Sequence, residues 1–216
     1  MVGLGNPGPA YEKTRHNLGF RVIDALGRLG GVAFVPSGAG ALVGAARVRS
    51  GDCERIRSSC VWLCKPMTFM NRSGTAVRAL LDKTGLPLER MLAVVDDFQL
   101  PLGRLRIRAR GTDGGHHGLA SLAESLGSED WPRLRIGIES IEVPAGPERV
   151  EWVLDSFEEA EEPLVAQAVT RAARLVLDWV VYGLEYCQNA YHGTDKEPCV
   201  LDPEAPREVG GKGREP

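Results

Sequence analysis

Apolar residues follow two spacings along this chain, and the switches between them mark out its elements. Leu18, Val22, Ile23, Leu26 and Leu29 recur three and four apart, which predicts a helix capped by Asn17 and stopped at Gly30-Gly31. Residues 41–48 are small and apolar, Gly51-Asp52 is a turn signal, and Cys60-Val61-Trp62-Leu63-Cys64 reads as a buried strand. Helical spacing returns with Val77, Leu80 and Leu81 and ends at Gly85 and Pro87. Met91 to Val95 is a continuous apolar run ending at Asp96-Asp97, as expected of a central parallel strand. Residues 104–110 alternate strictly, with arginine on one face and apolar side chains on the other. Gly114-Gly115-His116-His117-Gly118 opens a helix carrying Leu119, Leu122, Ala123 and Leu126, which Gly127 closes; residues 133–138 form another strand. Residues 158–191 read as one long helix with Leu164, Ala168, Ala172, Leu175 and Trp179 inward, and its acidic start reads as a solvated terminus.

Strands alternating with helices predict an α/β fold, a single domain whose mixed, mostly parallel twisted sheet is flanked by helices. That domain covers residues 1–192. Residues 193–216 are rich in proline, glycine and charge with little to bury, and they read as a disordered tail.

Composition narrows the picture in two ways. No apolar run approaches a membrane span and no signal peptide opens the chain, which predicts a cytoplasmic protein. The cysteines at 53, 60, 64, 187 and 199 are odd in number and lack C-x-x-C spacing, so reduced thiols are expected. The net charge of −3 hides an asymmetry: residues 1–137 carry 19 basic against 12 acidic residues, and the remainder 7 against 17. An anionic partner for the first two-thirds follows from that excess of positive charge.

Candidate chemistry gathers where polar residues follow predicted strands: Asn6, Phe69-Met70-Asn71, Asp96, and the loop holding His116-His117. His16 lies just ahead of a helix N-terminus, where the dipole disfavours its protonated form and keeps it available as a base. Such a set suits general-base hydrolysis, with imidazole deprotonating water, a carboxylate orienting it and amides holding an oxyanion. Other chemistries fit less well. Gly3, Gly5 and Gly8 satisfy G-x-G-x-x-G, but Pro7 removes a donor, the helix begins only near Asn17, and Asp24 falls inside it. No G-x-S-x-G, H-E-x-x-H or P-loop is present, and adjacent histidines make a poor chelating pair. Arg104, Arg106, Arg108 and Arg110, extended by Arg133 and Arg135, form an arginine stripe that fits phosphate better than a solvated edge.

These blocks, together with Thr14-Arg15-His16-Asn17, Lys65-Pro66-Met67-Thr68-Phe69-Met70-Asn71-Arg72-Ser73-Gly74 and Arg133-Leu134-Arg135-Ile136-Gly137-Ile138, closely resemble the bacterial-type peptidyl-tRNA hydrolase family from residue 1 to about residue 192. The resemblance implies a monomer without a stable protein partner, membrane contact, cofactor or metal. It implies hydrolysis of the ester joining a peptide to the 3′ end of tRNA, releasing both after ribosome drop-off. By position, His16 is then the general base and Asp96 its orienting carboxylate. Asn6 and Asn71 hold water, substrate and oxyanion, while Tyr11, Phe69 and Met70 line the site. Arg106, Arg108 and Arg135 fall where the family keeps basic residues against tRNA phosphates. The sequence departs from the pattern at three places: a first strand a few residues shorter than usual, His117 where an asparagine usually helps place substrate, and Gln99 where an acid is usual. The family also has relatives that bind RNA without hydrolysing, so a binding-only protein is the second reading.

Overall fold

Seven strands in one sheet carry the site: β1 (Val2–Gly3), β2 (Val35–Pro36), β3 (Ala41–Ser50), β4 (Arg57–Pro66), β5 (Ala93–Pro101), β6 (Leu105–Arg108) and β7 (Arg133–Glu139). They are seen in a computed structural model that describes residues 1–50, 57–140 and 143–191. Across the sheet the order is β2-β3-β4-β1-β5-β7-β6. The central strands β4, β1, β5 and β7 are parallel, and antiparallel neighbours close both edges. The Gly51-Asp52 turn and the 193–216 tail lie outside the described residues.

Among the described residues five helices cover the sheet: α1 (Leu18–Gly30), α2 (Ser73–Thr84), α3 (His117–Leu126), α4 (Glu148–Leu154) and α5 (Glu162–Tyr191), the last interrupted at Gly183. A central parallel strand must be apolar on both sides, and β5 shows why. Val94 packs with Val22, Ile23 and Ala172 from α1 and α5, whereas Ala93 and Val95 pack with Val77, Leu119 and Leu122 from α2 and α3. Among the described residues, no helix is long and apolar enough to cross a membrane, and Cys60, Cys64 and Cys187 are free thiols.

Several expectations are corrected. Trp62 is 47% exposed and Cys60 is exposed, so the 60–64 run is not buried throughout. β1 is two residues long and meets β4 only at Cys64, leaving the earlier part of β4 beyond the centre of the sheet. Leu29 is exposed because the buried stripe of α1 ends with Leu26 and Gly27. Leu164 is exposed because the stripe of α5 starts at Val165. The long helix starts at Glu162, not 158, and its acidic approach is paired as well as solvated. Glu161 accepts from Arg15 Nη2 at 2.9 Å, and Glu162 accepts both Arg21 Nη atoms at 3.2 and 2.7 Å.

Candidate active site

The glycines near the start of the chain serve packing. A Cβ on Gly19 would overlap the carbonyl oxygens of Leu4 and Val94, and one on Gly3 would overlap the Gly19 carbonyl. Only with both glycines does α1 lie directly on β1 and β5. That close approach sets the 3₁₀ turn Arg15–Asn17, just ahead of α1, against the middle of β5 and brings His16 to Asp96.

His16 Nδ1 lies 3.0 Å from each oxygen of Asp96. His116 Nε2 lies 3.2 Å from Asp96 Oδ1, and all three residues are buried. The proton positions follow from the backbone. Gly118 and Leu119 donate their N–H groups to His116 Nδ1 at 3.1 and 3.3 Å, so that nitrogen is an acceptor and Nε2 carries the proton. His116 thereby caps α3 and donates to Asp96. Gly118 leaves room here, because a Cβ would press on the side-chain ends of Met70 and Leu4. Asp96, accepting from His116, also accepts from His16 Nδ1, which leaves His16 Nε2 with a lone pair.

Electrostatics reinforce this assignment. Burial opposes the Asp96 charge, but the two imidazoles and their hydrogen bonds outweigh it and hold its carboxyl well below the usual carboxylate range. Burial works against protonation of His16, yet the charge and hydrogen bond of Asp96 prevail and raise its pKa. The dipole argument from sequence, which favours the neutral ring, is therefore overridden by a carboxylate in direct contact. For His116 burial wins, helped by His16 and Arg135, and its pKa is lowered.

Asn6 is fixed by three bonds. Its N–H donates to Asn17 Oδ1 at 2.7 Å, its carbonyl accepts from Asn17 Nδ2 at 2.9 Å, and its Oδ1 accepts from Met70 N at 2.8 Å. With Oδ1 engaged, the Nδ2 hydrogens of Asn6 are left for an occupant of the cavity that it lines. Asn17 therefore steadies Asn6; its side chain does not cap α1.

These residues share a cavity of about 640 Å³ that Tyr11, Phe69, Met70, Asn71 and His117 also line. Tyr11 and Phe69 meet edge to face at 6.4 Å between ring centres. Phe69, Asn71 and His117 are exposed, whereas Met70 is buried. The opposite wall comes from α4, a helix absent from the sequence reading, through Arg149, Val150, Val153 and Leu154. A smaller cavity of about 290 Å³, lined by Trp62, Leu80, Leu81 and Met91, brings no acid–base pair together among the described residues.

The arginine stripe divides. Arg106 faces Arg135 and Arg108 faces Arg133 across the β6–β7 pair. Arg106 is half-buried and Arg108 exposed, and neither lines the cavity. Arg133 does not extend the stripe: it is 1% exposed, stacks 3.8 Å from the centre of Trp131, and donates to the carbonyls of Gly111, Thr112 and Glu129. Arg135 holds Asp97 at 3.2 Å and the carbonyls of Thr112 and Asp113 at 2.7 and 3.1 Å. Both arginines thus brace the loop leading to His116. Gln99 is exposed, and its N–H donates to Asp97 Oδ1 at 2.9 Å.

The His16, Asp96 and His116 ligand atoms lie within 4.8 Å of one another, close enough to raise metal binding. The proton on His116 Nε2 argues against that use, since a nitrogen that donates to Asp96 offers a cation no lone pair.

Comparison with known proteins bears on the chain as a whole. Residues 1–198 match the family described as peptidyl-tRNA hydrolase. The chain is 45% identical over 192 residues to a peptidyl-tRNA hydrolase of Syntrophomonas wolfei, covering 89% of this chain and 98% of that protein. A second, from Aquifex aeolicus, is 42% identical over 194 residues, covering 87% and 94%. The crystal structure of peptidyl-tRNA hydrolase from Acinetobacter baumannii superposes with a TM-score of 0.76 at 32% identity, covering 87% of this chain and 91% of that one.

Proposed function

Because this chain belongs to the peptidyl-tRNA hydrolase family, we propose that it hydrolyses the ester between a peptide and the 3′ end of tRNA, with His16 as general base. One observation carries this reading: His16 Nδ1 is held by both oxygens of Asp96, itself fixed by His116, so that Nε2 is presented as the base. His16 Nε2 takes a proton from water as the oxygen attacks the ester carbonyl. The Nδ2 of Asn6, with Asn71, donates to the oxyanion. Collapse breaks the bond to the ribose oxygen, and the proton on His16 passes to that leaving group, giving free tRNA and a peptide acid. An activated ester asks for no covalent nucleophile, and the buried dyad supplies base and orientation together. Incubation with N-acetylated aminoacyl-tRNA tests the reading by release of tRNA and acyl amino acid. Binding without release would favour the binding-only alternative instead.

Arg106 and Arg108 act in this reading as phosphate contacts that do not read sequence. Replacing both by glutamine is expected to weaken binding to different tRNAs alike. It should also flatten the slope of log affinity against log salt by about 0.7–0.9 per lost contact. An unchanged slope would return these residues to a solvated edge.

His117 brings an imidazole to a cavity wall where the family pattern has an amide. His117→Asn is expected to keep turnover at neutral pH, because an asparagine amide offers both a donor and an acceptor at that position. Loss of turnover in this variant would give His117 a duty that an amide cannot fill.

A further inference from the structure

Arg15 adjoins His16 in the chain but does not line the cavity. It is 4% exposed, and its guanidinium reaches the end of α4 and the residues beyond it. Its Nη1 donates to the Ser156 carbonyl at 2.7 Å and its Nη2 to Glu161 Oε2 at 2.9 Å. The guanidinium carbon lies 4.7 Å from the ring centre of Trp152 and 5.2 Å from that of Phe157. Its backbone N–H donates to the Asp155 carbonyl at 3.0 Å, and Thr14 bridges to Ser156.

This convergence matters because α4 reaches the core only through the half-buried Trp152 and Val153 among the described residues. The helix is seven residues long and none of them is buried. A helix that short does not persist by its own hydrogen bonds, so its place depends on anchors from outside. At its other end Arg149 lies 4.4 Å from the ring centre of Phe98 and donates to the Pro144 carbonyl at 3.0 Å. Between these anchors α4 offers Val150, Val153 and Leu154 to the cavity that contains His16.

We propose that Arg15 is a positioning residue that ties α4 to the turn carrying His16, holding α4 as the wall against which apolar side chains of the substrate's acyl part pack. The substrate half of this statement rests on the peptidyl-tRNA reading; the anchoring half does not. Contact with two rings and simultaneous donation to a carbonyl and a carboxylate suit a guanidinium and not an ammonium.

The test uses the full chain with Arg15→Met combined with Glu161→Gln, so that no half-buried carboxylate is left unpaired, and Arg15→Lys as the conservative variant. In the double variant, amide exchange over residues 148–157 should accelerate by about tenfold or more while β5 stays protected. Lysine should restore protection only in part. Unchanged exchange at 148–157, or equal acceleration in β5, would overturn the anchor, and neither result depends on any substrate. With substrate, KM for a peptidyl-tRNA bearing an apolar peptide should rise by about fivefold, with no comparable rise for acetylglycyl-tRNA and no shift in the pH dependence of kcat. An equal rise for both substrates would overturn the role in acyl packing.

Discussion

His16→Ala is expected to lower turnover of peptidyl-tRNA by about 10²–10⁴-fold, the usual worth of a positioned general base. Affinity for tRNA should be nearly unchanged, because Arg106 and Arg108 sit on β6 and do not line the cavity. The split is informative: loss of kcat at constant affinity means that the imidazole acts on the transition state and not on ground-state binding. His16 is also buried and bonded to Asp96, so a folding defect must be separated from a chemical one. Thermal unfolding and the salt dependence of tRNA binding do so, since both should show a folded, binding-competent protein. Turnover within about tenfold of the unaltered chain would remove His16 from the proton transfer, being far less than general-base catalysis is worth.

Much of this site was legible from residue order, for physical reasons. Parallel strands buried on both sides need continuous apolar runs, so the 91–95 run was readable as a strand. β5 nevertheless starts at Ala93 and continues to Pro101, so that Asp96 lies within the strand and not at its end. Helix stops were marked by glycine, and Gly31, Gly85 and Gly127 each cap a helix in the left-handed conformation. What stayed hidden depends on contacts distant in the chain. α4 carries Val150, Val153 and Leu154 at helical spacing, but over seven residues with none buried the signal is too short to stand out. Arg133 looks like one more basic residue of a stripe until Trp131 and the carbonyls of the 111–112 loop are seen around it. The sequence placed His116 in a loop beside the site; its bond to Asp96 spans 20 residues, and no local signal reports it. The meeting of His16 with Asp96, 80 residues apart, was supplied by resemblance and not by spacing.

Three buried groups of the site, His16, Asp96 and His116, also make stability depend on pH in separable windows. His16, with its pKa raised, adds stability below the ordinary imidazole value that is lost as pH rises through the raised one. Asp96, held low, adds stability above the ordinary carboxylate value that is lost as pH falls through the depressed one. His116, kept neutral by burial, withdraws stability as pH falls below the ordinary imidazole value. Activity follows a different rule, since a base must be unprotonated. Turnover should therefore rise with pH through the raised pKa of His16.

Asp96→Asn should alter both the rate and that limb. An amide can accept from His116 through Oδ1, but its Nδ2 then donates towards His16 Nδ1. The proton of His16 is driven to Nε2, the nitrogen that has to accept from water. Turnover is expected to fall by about 10²–10⁴-fold, comparable to loss of the base itself. The acidic limb of the remaining activity should move to lower pH, because burial still opposes protonation of His16 while the charge that raised its pKa is gone. Nitrogen-15 spectra of the imidazole should show the tautomer reversed, and the kcat–pH profile should show the displaced limb. A wild-type limb position together with a rate within about tenfold of wild type would mean that Asp96 neither orients nor charges His16, and the dyad would be structural.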